Sequence, residues 1–584
     1  MKSREEMMDI VLASPGLLQR IARSAGAASG DGQASRERAR EYFLEIASDY
    51  NERWLNLWKR TLSFLWRAIY DDFVIDQEGM AKLREIAHRM PCVILPSHRS
   101  HVDYLILSYI FYLQKIPLPH VAAGDNMNFW PLGPIFRQSG AFFLRRRFQG
   151  DNLYADVFLA YVETLLSEGV PIEFFLEGGR SRTGKMVQPK YGMLAMILRA
   201  YQHRVSEDIA LLPVYLGYDR IIEEDSYLAE LSGASKRSES VLDVIKHAKI
   251  MRHRYGNIYL NFGEPISLKS YFAGHTKKFA ELTTAEQQAL YRDVGSLVVS
   301  GINRVSVTTP LALVAAALLC HGRRETTEAL LVEIFGAFTD YLGYQKTKLA
   351  PSLAFRDQAR TAAVQIFLKR GCLDYKKNKG GNNRAEGSYL LADAERLRLE
   401  YYKNNIIHHF VPLSFLSAAI LSGPETLIDW RLVREEYIFL KGLFAQEFLR
   451  GKDHDVEIAS AQAYLRQRGV LKTVNERGEE VLPEGRESLL PFAGLVQSYL
   501  ESYLTVFRAC AQLDEEPEKE KDQLDYIRGW AAKMNTRGGI RRAESISGAY
   551  YANALKFLRG EAVMGPVIDK NRLASLQSHL ARFL

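Results

Sequence analysis

His98 and Asp103 stand in Leu95-Pro-Ser-His-Arg-Ser-His-Val-Asp-Tyr104, five positions apart. An imidazole with a carboxylate on one ring nitrogen works as a general base: the carboxylate fixes the tautomer, and the other nitrogen takes the proton. Residues i and i+5 of a helix point about 140° apart, from its roughly 100° per residue. The pair therefore meets only if His98 lies in a turn and Asp103 in the first turn of the helix that follows. Ser100-His-Val-Asp103 also fits the Ser-x-x-Asp/Glu capping signal, in which Asp103 does no more than cap that helix.

Three further clusters put charge at the ends of apolar runs. Gly140-Ala-Phe-Phe-Leu-Arg-Arg-Arg147 carries Arg145 and Arg146. A guanidinium fork suits phosphate bidentately, with charged hydrogen bonds of about 1.5–3 kcal/mol each. The same arginines can pair with acidic helices instead. Phe174-Phe-Leu-Glu-Gly-Gly-Arg-Ser-Arg-Thr-Gly-Lys185 offers Gly178 and Gly179 for close backbone approach, and Arg180, Arg182 and Lys185 for charge. In the same turn Ser181 adds a hydroxyl, and Glu177 can orient a hydroxyl or an arginine. Gly179-x4-Gly184-Lys185 begins like a P-loop, but Met186 stands where a Ser or Thr must bind magnesium, so the nucleotide reading is set aside. In Leu211-Leu-Pro-Val-Tyr-Leu-Gly-Tyr-Asp-Arg220, Pro213 marks an edge strand or a bulge beside a site. The four clusters together offer a base for a hydroxyl and cations for a phosphate. The Gly-x-Ser-x-Gly signature is absent, so the chemistry reads as direct attack by a substrate hydroxyl on an activated acyl carbonyl.

The elements that must position these clusters read as α/β. Candidate strands are Val93–Leu95, Val121–Ala123, Ala141–Leu144, Ile172–Leu176, Leu211–Tyr215 and Ile258–Phe262, with helical patterns between them. The expected division is an N-terminal helical region over 1–72, an α/β domain with a mixed sheet over 73–270, and an all-helical C-terminal region over 271–584. One helix is expected to about residue 24 and a second from about 35 to 70. The second carries Trp54, Trp58 and Trp66 beside Arg53, Lys59, Arg60 and Arg67, a composition that suits either packing on the next domain or an interfacial helix. Leu311–Cys320 and Phe410–Leu421 are the most apolar windows of the C-terminal half and read as core. Lys376–Arg384 and Glu515–Lys521 read as solvated linkers.

With 584 residues, 47% apolar and 25% charged, the chain has the composition of a globular protein of two or three domains. Four scattered cysteines without a CxxC pair point to a reducing compartment and away from structural zinc. The net charge of +7 suits phosphate-bearing substrates or an anionic membrane surface, and equally nucleic acid. The arginines are not spread along a face with interleaved aromatics, as a nucleic-acid binder prefers. No signal peptide and no spanning helix are expected, since the N-terminus lacks an apolar segment and no window reaches 18 uninterrupted apolar residues.

His98-Arg-Ser-His-Val-Asp103 resembles the His-x4-Asp block of the glycerolipid acyltransferases. Gly140–Arg146, Phe175–Arg182 and Leu212–Tyr218 resemble their second, third and fourth blocks, in the same order and spacing. Ala122–Pro134, Asn261-Phe-Gly-Glu-Pro265 and Glu400-Tyr-Tyr-Lys-Asn-Asn-Ile-Ile-His-His409 are similar to the bacterial membrane-bound glycerol-3-phosphate acyltransferase family. The chain is shorter than the longest bacterial members, mainly at its N-terminus. The resemblance implies transfer of a fatty acyl group from acyl-CoA or acyl carrier protein to the 1-hydroxyl of glycerol 3-phosphate, with no metal or cofactor. It makes His98 the base and Asp103 its orienter. Arg145, Arg146, Glu177, Gly178, Gly179, Arg180, Ser181 and Arg182 would bind the glycerol phosphate, and Pro213 would shape the pocket. Arg304 is a further phosphate candidate. The implied setting is the phospholipid surface on the cytoplasmic face of the inner membrane, with no nucleic-acid partner. Pro96-Ser-His98 and Phe174-Phe-Leu-Glu177 are also similar to the dihydroxyacetone-phosphate acyltransferases, which keeps that acceptor as an alternative. A basic membrane-associated scaffold or nucleic-acid binder, its His-Asp turn only a capped helix, is the reading of a different class.

Overall fold

A computed structural model describes residues 2–584 apart from 26–31, 131, 146–149, 234–252, 276, 278, 378–386, 424–425, 450–452 and 475–477; for 23–25, 32, 52–58, 132 and 280 it describes the backbone alone. The described residues divide into two compact units. The first holds Met1–Arg180, Val187–Ile222 and Ser238–Val305; the second holds Ser181–Met186, Glu223–Arg237 and Ser306–Leu584. This differs from the expected three parts. The N-terminal helices belong to the α/β unit, because Arg4–Ala13 and Gly32–Ile46 pack on the helix Asn152–Ser167 of that unit. The unit also runs past residue 270, because Thr284–Arg304 packs on one of its central strands.

The α/β unit is built on an eight-stranded sheet: β1 (Phe73–Ile75), β2 (Cys92–Pro96), β3 (His120–Gly124), β4 (Ala141–Leu144), β5 (Ile172–Glu173), β6 (Ala210–Tyr218), β7 (Ile258–Phe262) and β8 (Ile266–Ser267). Their spatial order is β1-β7-β6-β2-β5-β3-β4, with β8 also paired to β6. The sheet is mixed, as expected: β7 and β8 run antiparallel to β6, and the other pairs are parallel. All six expected strands are present. β5 stops at Glu173 rather than Leu176 because Phe174 to Leu176 already turn into the glycine-rich loop. β2 and β6 are buried along their whole length, which is why both read as unbroken apolar runs rather than alternating ones.

Pro213 does not lie on an edge strand, since β6 is flanked by β7 and β2. The bulge alternative describes it. Val214 to Tyr218 pair with β7 and Ala210 and Leu211 with β8, leaving Leu212 and Pro213 opposite Gly263, Glu264 and Pro265. The Pro213 carbonyl accepts the Gly263 N–H at 2.8 Å. A strand residue's N and O point to the same flank, so the missing proline N–H faces this bulge and removes no ladder bond.

In the N-terminal stretch each expected helix is divided: Arg4–Ala13 from Pro15–Ala25, and Gly32–Ile46 from Glu52–Ile69. The second break arises where Asp49 and Asn51 donate their backbone N–H groups to Arg137 and Gln138. Trp66 is core, and the side chains of Arg53, Trp54 and Trp58 fall outside the described residues.

The second unit is mostly helical but not wholly so, which corrects the all-helical expectation. Glu325–Thr327, Leu373–Lys377 and Gly387–Leu391 form a three-stranded antiparallel sheet, and Lys472–Thr473 pairs with Glu479–Glu480. Leu373–Lys377 is exposed beyond its first residue and lysine-rich, so it carries no apolar alternation to betray a strand. Lys376 and Lys377 thus lie in a strand rather than a linker, and the rest of the expected linker is outside the described residues. In Pro310–Leu319 every residue after the proline is buried. Among the described residues only Asp393–Leu421 is long and apolar enough to cross a membrane, and most of its apolar window is buried within the protein.

Candidate active site

β2 ends at Pro96, and the chain turns through Ser97 to Val102 before the helix Asp103–Leu113 begins. His98 lies in the turn and Asp103 opens the helix, which is the one arrangement that brings the two together. His98 Nδ1 and Asp103 Oδ2 are 2.8 Å apart. The same oxygen accepts the backbone N–H groups of Arg99 at 2.7 Å and Ser100 at 2.9 Å. The helix has Val102 as its N-cap with no side-chain cap hydrogen bond, so Asp103 does not close the expected capping box and its carboxylate holds the turn before the helix instead. The other oxygen, Oδ1, accepts the hydroxyl of Tyr218 from the end of β6. Asp103 is fully buried, whereas the His98 ring retains 16% exposure.

Ser97 anchors the turn to the sheet. Its hydroxyl donates to the Leu216 carbonyl and accepts the Leu216 N–H, each at 3.0 Å, which continues the β2–β6 ladder in side-chain form. From the other flank, the fully buried Glu177 accepts the His98 N–H at 2.8 Å on Oε1 and the Val187 N–H at 2.7 Å on Oε2. Phe175 lies face to face with the His98 ring, centroids 3.9 Å apart.

Burial lowers the His98 pKa below the ordinary imidazole value; Asp103 pulls it back up, and the positive charge of Arg180 and His101 lowers it again. The lowered pKa favours the neutral ring, the form that accepts a proton. No hydrogen bond engages its Nε2 among the described residues. Burial also pushes Glu177 up to about 7, against the pull of Arg99 and of the two N–H groups. Glu173, on β5, has both carboxylate oxygens buried without a hydrogen-bond partner among the described residues, and burial beside Asp103 holds its pKa well above the ordinary value.

The residues expected to hold a phosphate are not all gathered here. Arg180 shares a hydrogen bond with His101 Nδ1 and adds its charge at His98. Gly178 takes a left-handed φ of +59°, and a Cβ there would strike the Lys190 side chain at 2.6 Å, so the turn requires glycine. Gly179 has open space where a Cβ would be. Arg145 is bound bidentately to Glu45 at 2.6 and 2.7 Å and stacks over Tyr154. Its fork is therefore engaged by a carboxylate, the alternative weighed for that cluster. Arg146 lies outside the described residues. Arg304 is exposed at the end of its helix.

Ser181, Arg182 and Lys185 belong to the second unit. Ser181 Oγ accepts the Gly184 N–H, and Arg182 pairs with Glu230 at 2.9 Å over the ring of Tyr227. Lys185 is buried in an ion pair with Glu447 and ringed by Phe448, Tyr499 and Tyr550. Asn404 donates to the Thr183 carbonyl at 2.8 Å, and a Cβ on Gly184 would meet the Tyr401 carbonyl at 2.3 Å. The Glu400-Tyr-Tyr-Lys-Asn404 stretch thus grips this segment. That Lys185 is taken up by a carboxylate agrees with setting the P-loop aside.

Sequence reasoning missed Tyr218, Glu173, Phe175 and His101 as parts of the site. Tyr218 and His101 both stand inside the quoted blocks; a polar group at the tip of an apolar strand was the available signal.

A family model described as the glycerol-3-phosphate acyltransferase C-terminal region matches residues 227–566, and one described as acyltransferase matches 76–217. The chain is similar to a glycerol-3-phosphate acyltransferase of Aeromonas hydrophila, 33% identical over 563 residues that cover 94% of this chain and 68% of the relative. It is similar to those of Haemophilus influenzae (31% identical; 99% of this chain, 71% of the relative) and Shewanella amazonensis (29%; 99% and 71%).

Proposed function

The chain belongs to the glycerol-3-phosphate acyltransferase family, and on that premise we propose that it transfers a fatty acyl group from a thioester, acyl-CoA or acyl carrier protein, to the sn-1 hydroxyl of glycerol 3-phosphate. The observation that carries the reading is the His98 imidazole held through Nδ1 by a buried, multiply bonded Asp103. The hydroxyl passes its proton to His98 Nε2 as its oxygen bonds to the thioester carbonyl carbon. The tetrahedral intermediate then collapses with cleavage of the C–S bond, and the imidazolium returns the proton to the thiolate. The products are lysophosphatidate and the free thiol, and no step calls on a metal or cofactor.

Arg180 is the phosphate ligand best supported by its surroundings, since its charge already acts on His98. Arg145 reaches the phosphate only by exchanging Glu45 for it. Glu177 and Ser181 shape the loop rather than touch the ligand. The reaction is placed at a phospholipid surface, where acyl product accumulates. The helix Glu52–Ile69 supports that setting, with Phe64 71% exposed and Lys59 and Arg60 exposed beside it.

Thiol release from palmitoyl-CoA or palmitoyl carrier protein, in detergent or lipid, tests the reading with glycerol 3-phosphate, dihydroxyacetone phosphate and lysophosphatidate in parallel. Release that depends on glycerol 3-phosphate and drops about 10²–10⁴-fold in His98→Ala is expected. Preference for another acceptor would change the substrate, and silence with all three and both donors would remove the activity.

A further inference from the structure

Asp103 and Glu173 are two fully buried carboxyls close enough to act on each other's charge, and their surroundings are opposite. Asp103 accepts from the His98 ring and two backbone N–H groups on Oδ2, and from the Tyr218 hydroxyl on Oδ1. Neither oxygen of Glu173 has a hydrogen-bond partner among the described residues. The hydrogen-bond donors are gathered on Asp103 and not on Glu173, so the geometry sets the two carboxyls apart. Three of the four donors come from the same turn as Asp103 itself. The fourth, on Oδ1, comes from a residue 115 positions away.

We propose that Tyr218 is a positioning residue for the acyl transfer: its hydroxyl, donated to Asp103 Oδ1, holds that carboxyl group in plane behind His98. The proposal rests on the His98 mechanism above. Tyr218 is well placed for it. It is the last residue of β6, its ring is buried, and it packs against Tyr70 with centroids 5.8 Å apart. The ring is fixed by packing and the hydroxyl by the carboxylate, so Tyr218→Phe deletes the bond without opening the core.

The test uses the full-length chain and the acceptor that supports wild-type turnover. Tyr218→Phe is expected to lower kcat on the order of tenfold, as loss of a hydrogen bond to a charged group should, and to leave KM for the acceptor unchanged. The bare carboxylate then exerts more charge on the imidazole, so the acid limb of the kcat/KM profile should move to higher pH. Because Tyr218 acts only through the pair, adding Tyr218→Phe to His98→Ala should cost no further rate. An unchanged kcat and acid limb in Tyr218→Phe, with an active wild type, would overturn the role of Tyr218 and leave the His98 mechanism standing. A full additional loss on the His98→Ala background would overturn it in favour of a merely structural tyrosine. A wild type inactive with every acceptor would instead strike at the mechanism, and the role of Tyr218 would fall with it.

Discussion

The Glu177 carboxylate accepts the backbone N–H of His98 at 2.8 Å, so a residue 79 positions downstream fixes the backbone of the His98 turn. Its second oxygen closes the glycine-rich segment on itself through the Val187 N–H. The third sequence block therefore serves the first by shaping it.

Glu177→Gln should separate this clamp from a ligand role. An amide has one acceptor oxygen and turns an NH2 toward one of the two N–H groups, so one bond must break. A fall in kcat/KM on the order of tenfold with unchanged circular dichroism is expected, from a penalty of roughly 1–3 kcal/mol for an unpaired buried donor. Wild-type kinetics would show that the clamp is dispensable.

The pH profile follows from the lowered pKa of His98. The base acts when neutral, and a lowered pKa extends the neutral form to lower pH, so activity should persist below the ordinary imidazole value of 6.5 before it falls. Arg180→Ala removes a positive charge that lowers this pKa and should shift the acid limb upward, together with a higher KM for the phosphorylated acceptor. A limb that stays in place would remove Arg180 from the neighbourhood of the ring in solution.

Glu173 sets a stability dependence of opposite sense. Its folded pKa is raised well above 4.5, so the unfolded chain releases a proton that the native chain keeps. Stability from this group is present below 4.5 and is lost as pH rises toward the folded value. Glu173→Gln keeps the shape and abolishes the titration, so thermal melts should decline less steeply than those of the wild type as pH rises above 4.5. Parallel declines would exclude Glu173 as the cause.

Within the helical unit, Lys185→Met leaves Glu447 buried without its cation. Breaking one side of a buried pair costs roughly 3–5 kcal/mol. The expected result is a lowered melting temperature, restored in part by Glu447→Gln in the same chain. A melt like the wild type would mean the pair contributes little.

The primary structure by itself determined the chemistry-bearing turn. The five-residue spacing of His98 and Asp103 forces a strand–turn–helix boundary, and the apolar runs of β2, β4, β6 and β7 place the polar clusters at strand ends. These are local matters: neighbours along the chain are brought together by backbone geometry that short patterns encode. Only the tertiary structure decided which cation meets which carboxylate. Arg145 looks like a phosphate ligand until Glu45, 100 residues earlier, is seen to fill its fork. Lys185 looks like part of the site until Glu447, 262 residues later, takes it into the helical unit. Tyr218 acquires meaning only when the β2–β6 register sets it over Asp103. Charged side chains carry no periodic signal for their partners. Their pairing follows from packing and sheet register, which are settled by the burial of distant apolar surfaces rather than by the residues beside them.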